Sequence, residues 1–161
     1  MKLADHDIIL TLIKEELKHV QKNLEIQIDL FYNKTNIVKE VITPTIRLRL
    51  LTNSIIHYTF FKDVEIDVEQ HKINHNALVS IATLKQHPLL IDATEFVTIT
   101  PEARKFIRSL EPVTPILARA MVTNSLANKL LITFYNKVNK PMYPLKVFNN
   151  YNDAQKWLLT L

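Results

Sequence analysis

Apolar positions near the start of the chain recur at steps of three and four residues, with charged and polar residues between them. They are Leu10, Ile13, Leu17, Val20, Leu24, Ile28 and Phe31. Positions with this spacing share one face of a helix, so the pattern predicts a single long amphipathic helix from about Asp5 to Phe31. From Leu24 to Leu30 every second residue is also apolar, as in a half-buried strand, which leaves the end of the helix open.

The first part of this stripe comes close to a heptad pattern. Its members are Leu10, Ile13, Leu17, Val20 and Leu24. A heptad seam can pair with the same helix of a second chain and so produce a homo-oligomer. The stripe can equally pack on the chain's own domain, and the sequence does not decide between the two interpretations.

The apolar pattern changes to alternation at Thr45. Residues 46–50 alternate between apolar residues and arginine, residues 52–54 (TNS) supply a turn, and residues 55–61 are rich in β-branched and aromatic types. These features predict a β-hairpin. The preceding residues, 33–45, contain Asn, Thr and Pro and are interpreted as a connection with a short turn of helix.

The rest of the chain alternates regularly between helical and strand patterns. Helices are predicted at 67–85, 100–110, 125–138 and 152–161 and strands at 89–92, 116–122 and 145–148, with Asp67, Thr100, Asn124 or Ser125, and Asn152 as the helix caps. The order from Ile46 is β-β-α-β-α-β-α-β-α, which predicts an α/β fold with a mixed, mainly parallel sheet and right-handed crossovers. We expect an N-terminal helical extension and linker over residues 1–44 and the α/β domain over residues 45–161.

Two residue types are missing from the 161 residues, and each absence excludes a class of site. Cys is 0, so disulfides, thiolate nucleophiles and zinc ribbons are excluded. Gly is 0, which excludes the P-loop and the dinucleotide-binding fingerprint, because both need glycine where the backbone approaches a phosphate. The sequence also shows no Ser-His-Asp elbow and no paired-carboxylate motif, so we expect neither enzyme activity nor a cofactor.

The formal net charge is +4, but the positive residues are spread along the chain and interleaved with acids. This distribution favours a basic solvated surface over a nucleic-acid site. No apolar stretch is long enough to span a bilayer, and the N-terminus MKLADHD lacks the features of a signal peptide, so we expect a soluble cytoplasmic protein. His71 and His75 have the spacing of a helical metal pair, but no third ligand is evident and we expect no metal site.

The stretch HPLLIDATEFVTITPEARKFIR, residues 87–108, contains an unbroken apolar run closed by Asp92 and a helix start at Thr100. Together with the element order, the hairpin IRLRLLTNSIIHYTF, the junction MVTNSLANKLL and the ending KPMYPLKVFNNYNDAQKWL, it resembles the STAS domains of anti-sigma-factor antagonists. The chain looks most similar to SpoIIAA-like proteins of the STAS/SEC14 type over about residues 45–161. The resemblance implies a SpoIIAA-like α/β fold.

In signalling STAS domains the corresponding helix begins with Asp-Ser-Ser-Gly, and a serine there is phosphorylated by a partner kinase. This chain has TPEA at residues 100–103, so the usual phospho-serine is missing. Glu102 places a permanent negative charge near the helix N-terminus, where the helix dipole stabilises an anion. Thr-Pro-Glu is also simply a favourable helix start, and both interpretations stay open.

The resemblance implies, as the leading hypothesis, a non-enzymatic regulatory module that binds a protein partner through this edge of the sheet. The residues expected to contribute are Thr94, Thr98, Thr100, Glu102, Arg104 and Lys105. The alternative is a binder of a small apolar or lipid-like ligand between the sheet and the helices, suggested by the SEC14 comparison and by a set of aromatic residues. These aromatic residues are Phe60, Phe61, Phe134, Tyr135 and Trp157.

Overall fold

The computed structural model of the protein describes residues 9–24, 36–139 and 141–161, and the chain divides into two compact units. The first unit spans residues 1–36 and the second spans residues 37–161. Residues 9–24 form helix α1, so the predicted N-terminal helix is confirmed there. The predicted ends of that helix, and the strand-like alternation that follows Leu24, lie outside the described residues.

A six-stranded sheet forms the centre of the second unit. Its strands are β1 (Ile37–Ile42), β2 (Ile46–Leu51), β3 (Ile56–Phe60), β5 (His87–Asp92), β7 (Ile116–Val122) and β8 (Leu145–Phe148), while β4 (Val64–Ile66) and β6 (Val97–Ile99) form a separate two-stranded sheet. The strand order is β1-β2-β3-β5-β7-β8. The β1-β2 and β2-β3 pairs are antiparallel, and the remaining pairs are parallel. The predicted α/β fold with a mixed, mainly parallel sheet is therefore confirmed.

Strand β1 occupies part of the segment that was predicted to be a connection, so that prediction is wrong for residues 37–42. The charged pair Lys39-Glu40 interrupts the apolar residues of this segment and hid its alternation. An edge strand tolerates such a pair, because its side chains can reach solvent or a neighbouring element. Lys39 does so by donating a 2.9 Å hydrogen bond from Nζ to the carbonyl oxygen of Ser80.

The small parallel sheet of β4 and β6 was not predicted, because three-residue strands carry too few positions to show alternation. Its register pairs Glu65 with Thr98. Beyond the last pair, the backbone amide of Thr100 donates a 3.0 Å hydrogen bond to the carbonyl oxygen of Ile66. The sheet thereby fixes the segment that leads from β5 into the next helix.

The helices of the second unit are α2 (Val68–Ala82), α3 (Pro101–Ser109), α4 (Leu126–Asn139) and α5 (Tyr151–Leu158). Asp67 caps α2 as predicted, and Thr100 caps α3 as predicted, each by accepting a backbone amide hydrogen bond. Ser125 serves the same purpose for α4 by accepting a 3.2 Å hydrogen bond from the amide of Asn128. The local capping signals in the sequence therefore placed these three helix starts correctly.

Three helix boundaries differ from the prediction, and one of them is the end of α5, which lies at Leu158 and not at Leu161. Asn150, and not Asn152, caps α5, and its side chain accepts a 2.9 Å hydrogen bond from the amide of Asp153. Helix α2 ends at Ala82, earlier than the predicted Lys85, because Thr83 adopts the left-handed conformation with a φ of 49°. A left-handed residue after the last turn is a common way to end a helix.

The sheet buries apolar side chains on both faces. The cluster on the α2 side contains Ile46, Leu48, Ile56, Tyr58, Leu78, Ile81, Ala82, Leu89 and Ile116. The cluster on the α5 side contains Ile55, Leu90, Ala118, Ala120, Val122, Ala154 and Leu158. Strands β5 and β7 contribute to both clusters, which explains why the Leu89-Leu90-Ile91 run in β5 does not alternate with polar residues.

Candidate functional site

The loop after β5 carries the first of the residues that the sequence singled out. The hydroxyl of Thr94 donates a 2.6 Å hydrogen bond to Asp92 Oδ1, and the Thr94 amide donates to the same oxygen at 3.0 Å. Phe96, two residues after Thr94 in this loop, is 69% exposed. Thr98 lies in β6 and is exposed, whereas Thr100 is engaged as the α3 cap through a 3.2 Å hydrogen bond from the Ala103 amide.

The remaining predicted residues of this edge lie on α3. Glu102 and Lys105 are exposed on the first turns of the helix. Arg104 is also exposed, but it lines a cavity in the second unit, which Glu102 and Lys105 do not. Of the six predicted residues, Arg104 lines this cavity, and the role of all six in partner binding stays a prediction.

The cavity has a volume of about 460 Å³ and lies on the α2 side of the sheet. Strands β3, β5, β7 and β8 form its floor, and α2, α3 and α4 contribute side chains to its walls. Its apolar lining consists of Tyr58, Phe60, Ile66, Leu78, Leu89, Ile91, Ile99, Ile107, Ile116, Met121, Ile132, Phe134 and Leu145. A site of this size and lining is typical of a pocket for a small molecule, for which volumes of about 300–1,000 Å³ are usual.

The polar lining of the cavity carries one sign of charge. Its polar residues are His71, Asn74, His75, Arg104, Thr114 and Arg119. Two of these side chains are arginines and two are histidines, whereas no Asp or Glu lines the cavity among the residues that the structure describes. The site therefore combines an apolar interior with donors and positive charge and lacks a lining carboxylate.

The two histidines come from successive turns of α2. Their ring centroids lie 6.3 Å apart, and the ring of Phe106 on α3 packs edge-on against His71 at 6.0 Å. The pKa of His71 is lowered from 6.5 to about 4, first by burial and then by His75 and the positive charge of Arg119. Burial also lowers the pKa of His75. Both rings are neutral near pH 7 and can each donate one N–H and accept one hydrogen bond.

Arg119 lies on β7 and forms an ion pair with a buried acid, Glu111. Its Nη1 donates a 3.1 Å hydrogen bond to Glu111 Oε1, and the Arg119 and Glu111 side chains are 13% and 6% exposed. Its guanidinium carbon also lies 5.5 Å from the centre of the Tyr143 ring. Tyr143 in turn donates its hydroxyl hydrogen to the Glu111 carbonyl oxygen. These contacts fix the arginine in position while Glu111 compensates its charge.

The predicted aromatic residues separate into two groups. Phe60 and Phe134 line the cavity, as the hypothesis of a ligand site requires. Phe61 instead packs under Arg47, with 5.8 Å between the guanidinium carbon and the ring centre, and Trp157 packs on Phe148 on the α5 side of the sheet. The side chain of Tyr135 lies outside the described part of the chain.

Sequence reasoning missed the participation of α2 and β7 in this site. His71, His75 and Leu78 fall at helical spacing on one face of α2, and a polar pair on an apolar stripe is the signal that could have indicated a lined cavity. Arg119 gives a similar signal, since it interrupts the apolar run of β7. In the described part of the chain, no three His, Asp or Glu side chains are grouped so that they could hold a metal ion.

The stripe of the first unit is placed on α1 as the periodicity predicted. Its side chains are exposed over a range from 42% at Leu10 to 61% at Leu17. Ile13, Val20 and Leu24 lie within that range. Among the described helices, none combines the length and the hydropathy that a bilayer span requires. The participation of this stripe in an oligomer stays a prediction.

Comparison with known proteins gives a family and a fold. The family model described as a domain of unknown function, DUF7793, matches residues 49–161, so the chain belongs to this family. The chain is similar to the crystal structure of an uncharacterised protein from the DUF3478 family, with a SpoIIAA-like fold, from Shewanella loihica PV-4. The sequence identity is 14%, the TM-score is 0.54, and the similarity covers 74% of this chain and 90% of that chain. The SpoIIAA-like fold implied by the sequence is confirmed, and no curated protein matches the chain.

Proposed function

We propose that this member of the DUF7793 family binds a small, largely apolar molecule in the cavity between its sheet and its helices. The single observation that carries this proposal is the 460 Å³ cavity itself, whose lining is mostly apolar. Concave, mostly apolar sites of this size are few on a protein and are where small ligands usually bind. A cavity of this size therefore favours an interior adapted to a ligand. The proposed role is binding without catalysis.

The fold positions the cavity between elements that are far apart in the sequence. Leu89 and Ile91 of β5 form part of its floor, and Leu78 of α2 and Ile107 of α3 form part of its walls. Phe134 of α4 lines the cavity and is 65% exposed, so the opening to solvent includes this helix. An apolar ligand would replace water against these side chains, which is favourable at about 25 cal/mol for each Å² of apolar surface buried.

A neutral fluorescent probe tests this proposal. N-phenylnaphthylamine becomes bright in an apolar site, and we expect the wild-type protein to bind it saturably. Ile91→Trp places a large ring in the cavity and should abolish saturable binding. Val38→Trp is the matched control, because Val38 is exposed on β1 and does not line the cavity. Circular dichroism establishes that both variants are folded.

Two results would contradict the proposal. The first is the absence of saturable binding by the wild-type protein. The second is unchanged binding by a folded Ile91→Trp variant, which would place the probe elsewhere. Native mass spectrometry after gentle purification gives an independent readout, since a retained small molecule would add a discrete mass to the wild-type protein.

The exposed aromatic ring of Phe96 supports a second candidate function, the protein-interaction role of the loop and α3. Phe96 lies between Thr94 and β6, and Glu102 adds a fixed negative charge at the start of the following helix. Aromatic residues are enriched at the centres of protein interfaces, where truncation has large effects. The loop therefore offers a partner both an apolar anchor and a charge.

A pulldown from native lysate tests this second role. We expect Phe96→Ser and the charge reversals Glu102→Lys and Arg104→Glu to remove a specific partner that the wild-type protein retains. Val38→Ser is the control, because it removes an exposed apolar side chain from a different edge of the domain. An unchanged set of partners in all three loop and α3 variants would exclude this surface.

The exposed stripe on α1 is proposed to mediate homo-oligomerisation. Ile13→Asp and Leu17→Asp place a charge in the middle of the stripe and should lower the mass measured by light scattering. Lys18→Asp is the control, since it introduces an aspartate outside the stripe and changes the net charge by two units, more than either stripe variant does. A mass that is the same in all variants as in the wild-type protein would exclude α1 as the interface.

A further inference from the structure

We infer that the ligand of the cavity is an acidic amphiphile, whose apolar body fills the interior and whose oxyanion head group is bound by the basic side chains of α2, α3 and β7. This inference rests on the proposed function and specifies the ligand's chemistry. The four basic residues in the lining are His71, His75, Arg104 and Arg119. No acid lines the cavity in the described residues, although the chain carries 16 acids in total.

The basic residues of α2, α3 and β7 share one cavity, because His71, His75, Arg104 and Arg119 all line it and α2 packs on α3. Phe106 of α3 packs against His71 of α2 at 6.0 Å, and Arg104 and Ile107 of α3 line the cavity. Arg119 is close enough to His71 to influence its titration. The cavity therefore presents basic side chains from α2, α3 and β7 together with apolar side chains from β3 and β5.

The two arginines are not equivalent as ligand-binding groups. Arg119 already pairs with Glu111, so it can donate further hydrogen bonds but adds little net charge. Arg104 is exposed, and none of the salt bridges between described residues involves it. Its guanidinium can rotate over the head group and bind it in the bidentate manner that suits carboxylates and phosphates. We therefore assign the main ionic contact to Arg104 and a supporting, neutral-pair contact to Arg119.

The histidines complete this end of the cavity with hydrogen-bond donors. Both rings are neutral near pH 7, because burial lowers the pKa of each and His75 and Arg119 lower that of His71 further. A neutral ring can still donate one N–H to an oxyanion. An oxyanion next to the ring would favour the protonated form, so ligand binding should raise the pKa of His71. The titratable groups that act on the pKa of His71 are His75 and Arg119, and Arg104 lines the same cavity.

The test compares ligands that differ only in the head group. Dodecanoate, dodecanol and dodecyl phosphate are each used to displace bound N-phenylnaphthylamine at neutral pH. We expect dodecanoate or dodecyl phosphate to bind at least about tenfold more tightly than dodecanol. A hydrogen bond to a charged group contributes enough free energy to produce a difference of this size. The difference between the two anions identifies a carboxylate or a phosphate as the preferred head group.

Two variants of α3 assign the contact to a residue. Arg104→Gln should remove most of the advantage of the anion over dodecanol, measured as the ratio of the two affinities within the same variant. Lys105→Gln removes the same charge from the adjacent position, which does not line the cavity, and should retain the advantage. Equal losses in both variants would show a long-range charge effect and would overturn the assignment to Arg104.

The outcomes separate this inference from the function on which it rests. If the neutral probe binds and the anions are no better than dodecanol, the cavity binds apolar molecules and the acidic head group is wrong. If the probe itself does not bind to the wild-type protein, the proposed function fails and this inference fails with it. A rise in the pKa of His71 on saturation with dodecanoate, measured by NMR, and no rise with dodecanol supports the inference independently of displacement.

Discussion

The two faces of the sheet bury apolar surface in different ways. Under α5 the inward residues of β7 are small, with Ala118 and Ala120 fully buried beneath Ala154 of the helix. On the opposite face of the same strand, Arg119 and Met121 line a cavity of about 460 Å³. One strand thus supports close packing on one side and an open interior on the other.

This difference shows that the cavity does not come from a shortage of large apolar residues. The α2 side of the sheet carries Tyr58, Phe60 and Leu89, which are larger than the alanines of the α5 side. Small residues allow a helix to approach the sheet closely, whereas the large residues on the α2 side surround space without filling it. We therefore expect the two faces to respond differently to substitution.

The largest loss of stability is expected when the buried ion pair between Arg119 and Glu111, on the cavity side of the sheet, is broken. Glu111→Gln leaves the guanidinium of Arg119 without its compensating carboxylate, and removing one partner of a buried pair costs about 3 kcal/mol or more. Urea unfolding measures the loss. Glu102→Gln is the control, because it removes an exposed carboxylate that makes no salt bridge with the described residues. A loss no greater than that of the control would show that the pair does not support this face.

The second effect compares two histidines on opposite faces of the sheet. The side chain of His57 in β3 lies on the other face of the sheet from those of Ile56 and Tyr58, and so away from the cavity. Its Nε2 is buried and has no hydrogen-bond partner among the described residues. Its pKa is lowered from 6.5 to about 4, first by burial and then by Arg49, although Asp92 raises it. The pKa of His71 on the cavity side is also lowered to about 4.

Both pKa values make the folded state less stable in acid. The unfolded chain binds more protons between pH 6.5 and about 4, so stability is fully present above this window and is lost as the pH falls through it. His57 accounts for up to about 3 kcal/mol of the free energy of unfolding that is lost across this window. The cavity-facing His71 accounts for less, because solvent screens its charge. Urea unfolding across the window should give a shallower acid slope for His57→Gln than for His71→Gln. Equal slopes for the wild-type protein and both variants would exclude these groups.

The sequence contained enough local information for most of the elements. Asp67 and Thr100 identified two helix starts, because a cap depends on residues within one turn. The alternation at residues 46–50 identified β2 for a similar reason. Strand β1 was missed because Lys39 and Glu40 lie within it, and an edge strand accepts charges that an inner strand would exclude.

The cavity could not be predicted to the same extent, because it depends on contacts between distant segments. His71, Arg104 and Arg119 come to line one cavity only in the folded domain, because they lie on α2, α3 and β7. Their spacing along the chain contains no repeat or motif that indicates this arrangement. The aromatic residues gave a partial signal, since Phe60 lines the cavity while Trp157 packs on the other face.

A smaller effect is expected from overfilling the closely packed face. Ala118→Leu adds a bulky side chain where Ala118 is fully buried, and such overpacking costs about 2 kcal/mol. The midpoint of urea unfolding measures the loss. Leu117→Ala is the control, since Leu117 is the neighbouring residue of β7 and is 45% exposed. If Ala118→Leu has no larger effect than this control, the α5 face is not closely packed and the comparison fails.

The smallest effect on stability is expected from filling the cavity. Met121 lies on the face of β7 that lines the cavity, three residues after Ala118. Met121→Phe enlarges this side chain, and the added volume can enter the cavity. We expect a change of less than about 1 kcal/mol in the free energy of unfolding, together with weaker binding of N-phenylnaphthylamine. A cost as large as that of Ala118→Leu would mean that both faces are packed to the same density. Little loss of stability with a clear loss of binding would instead show that β7 keeps this space open for a ligand.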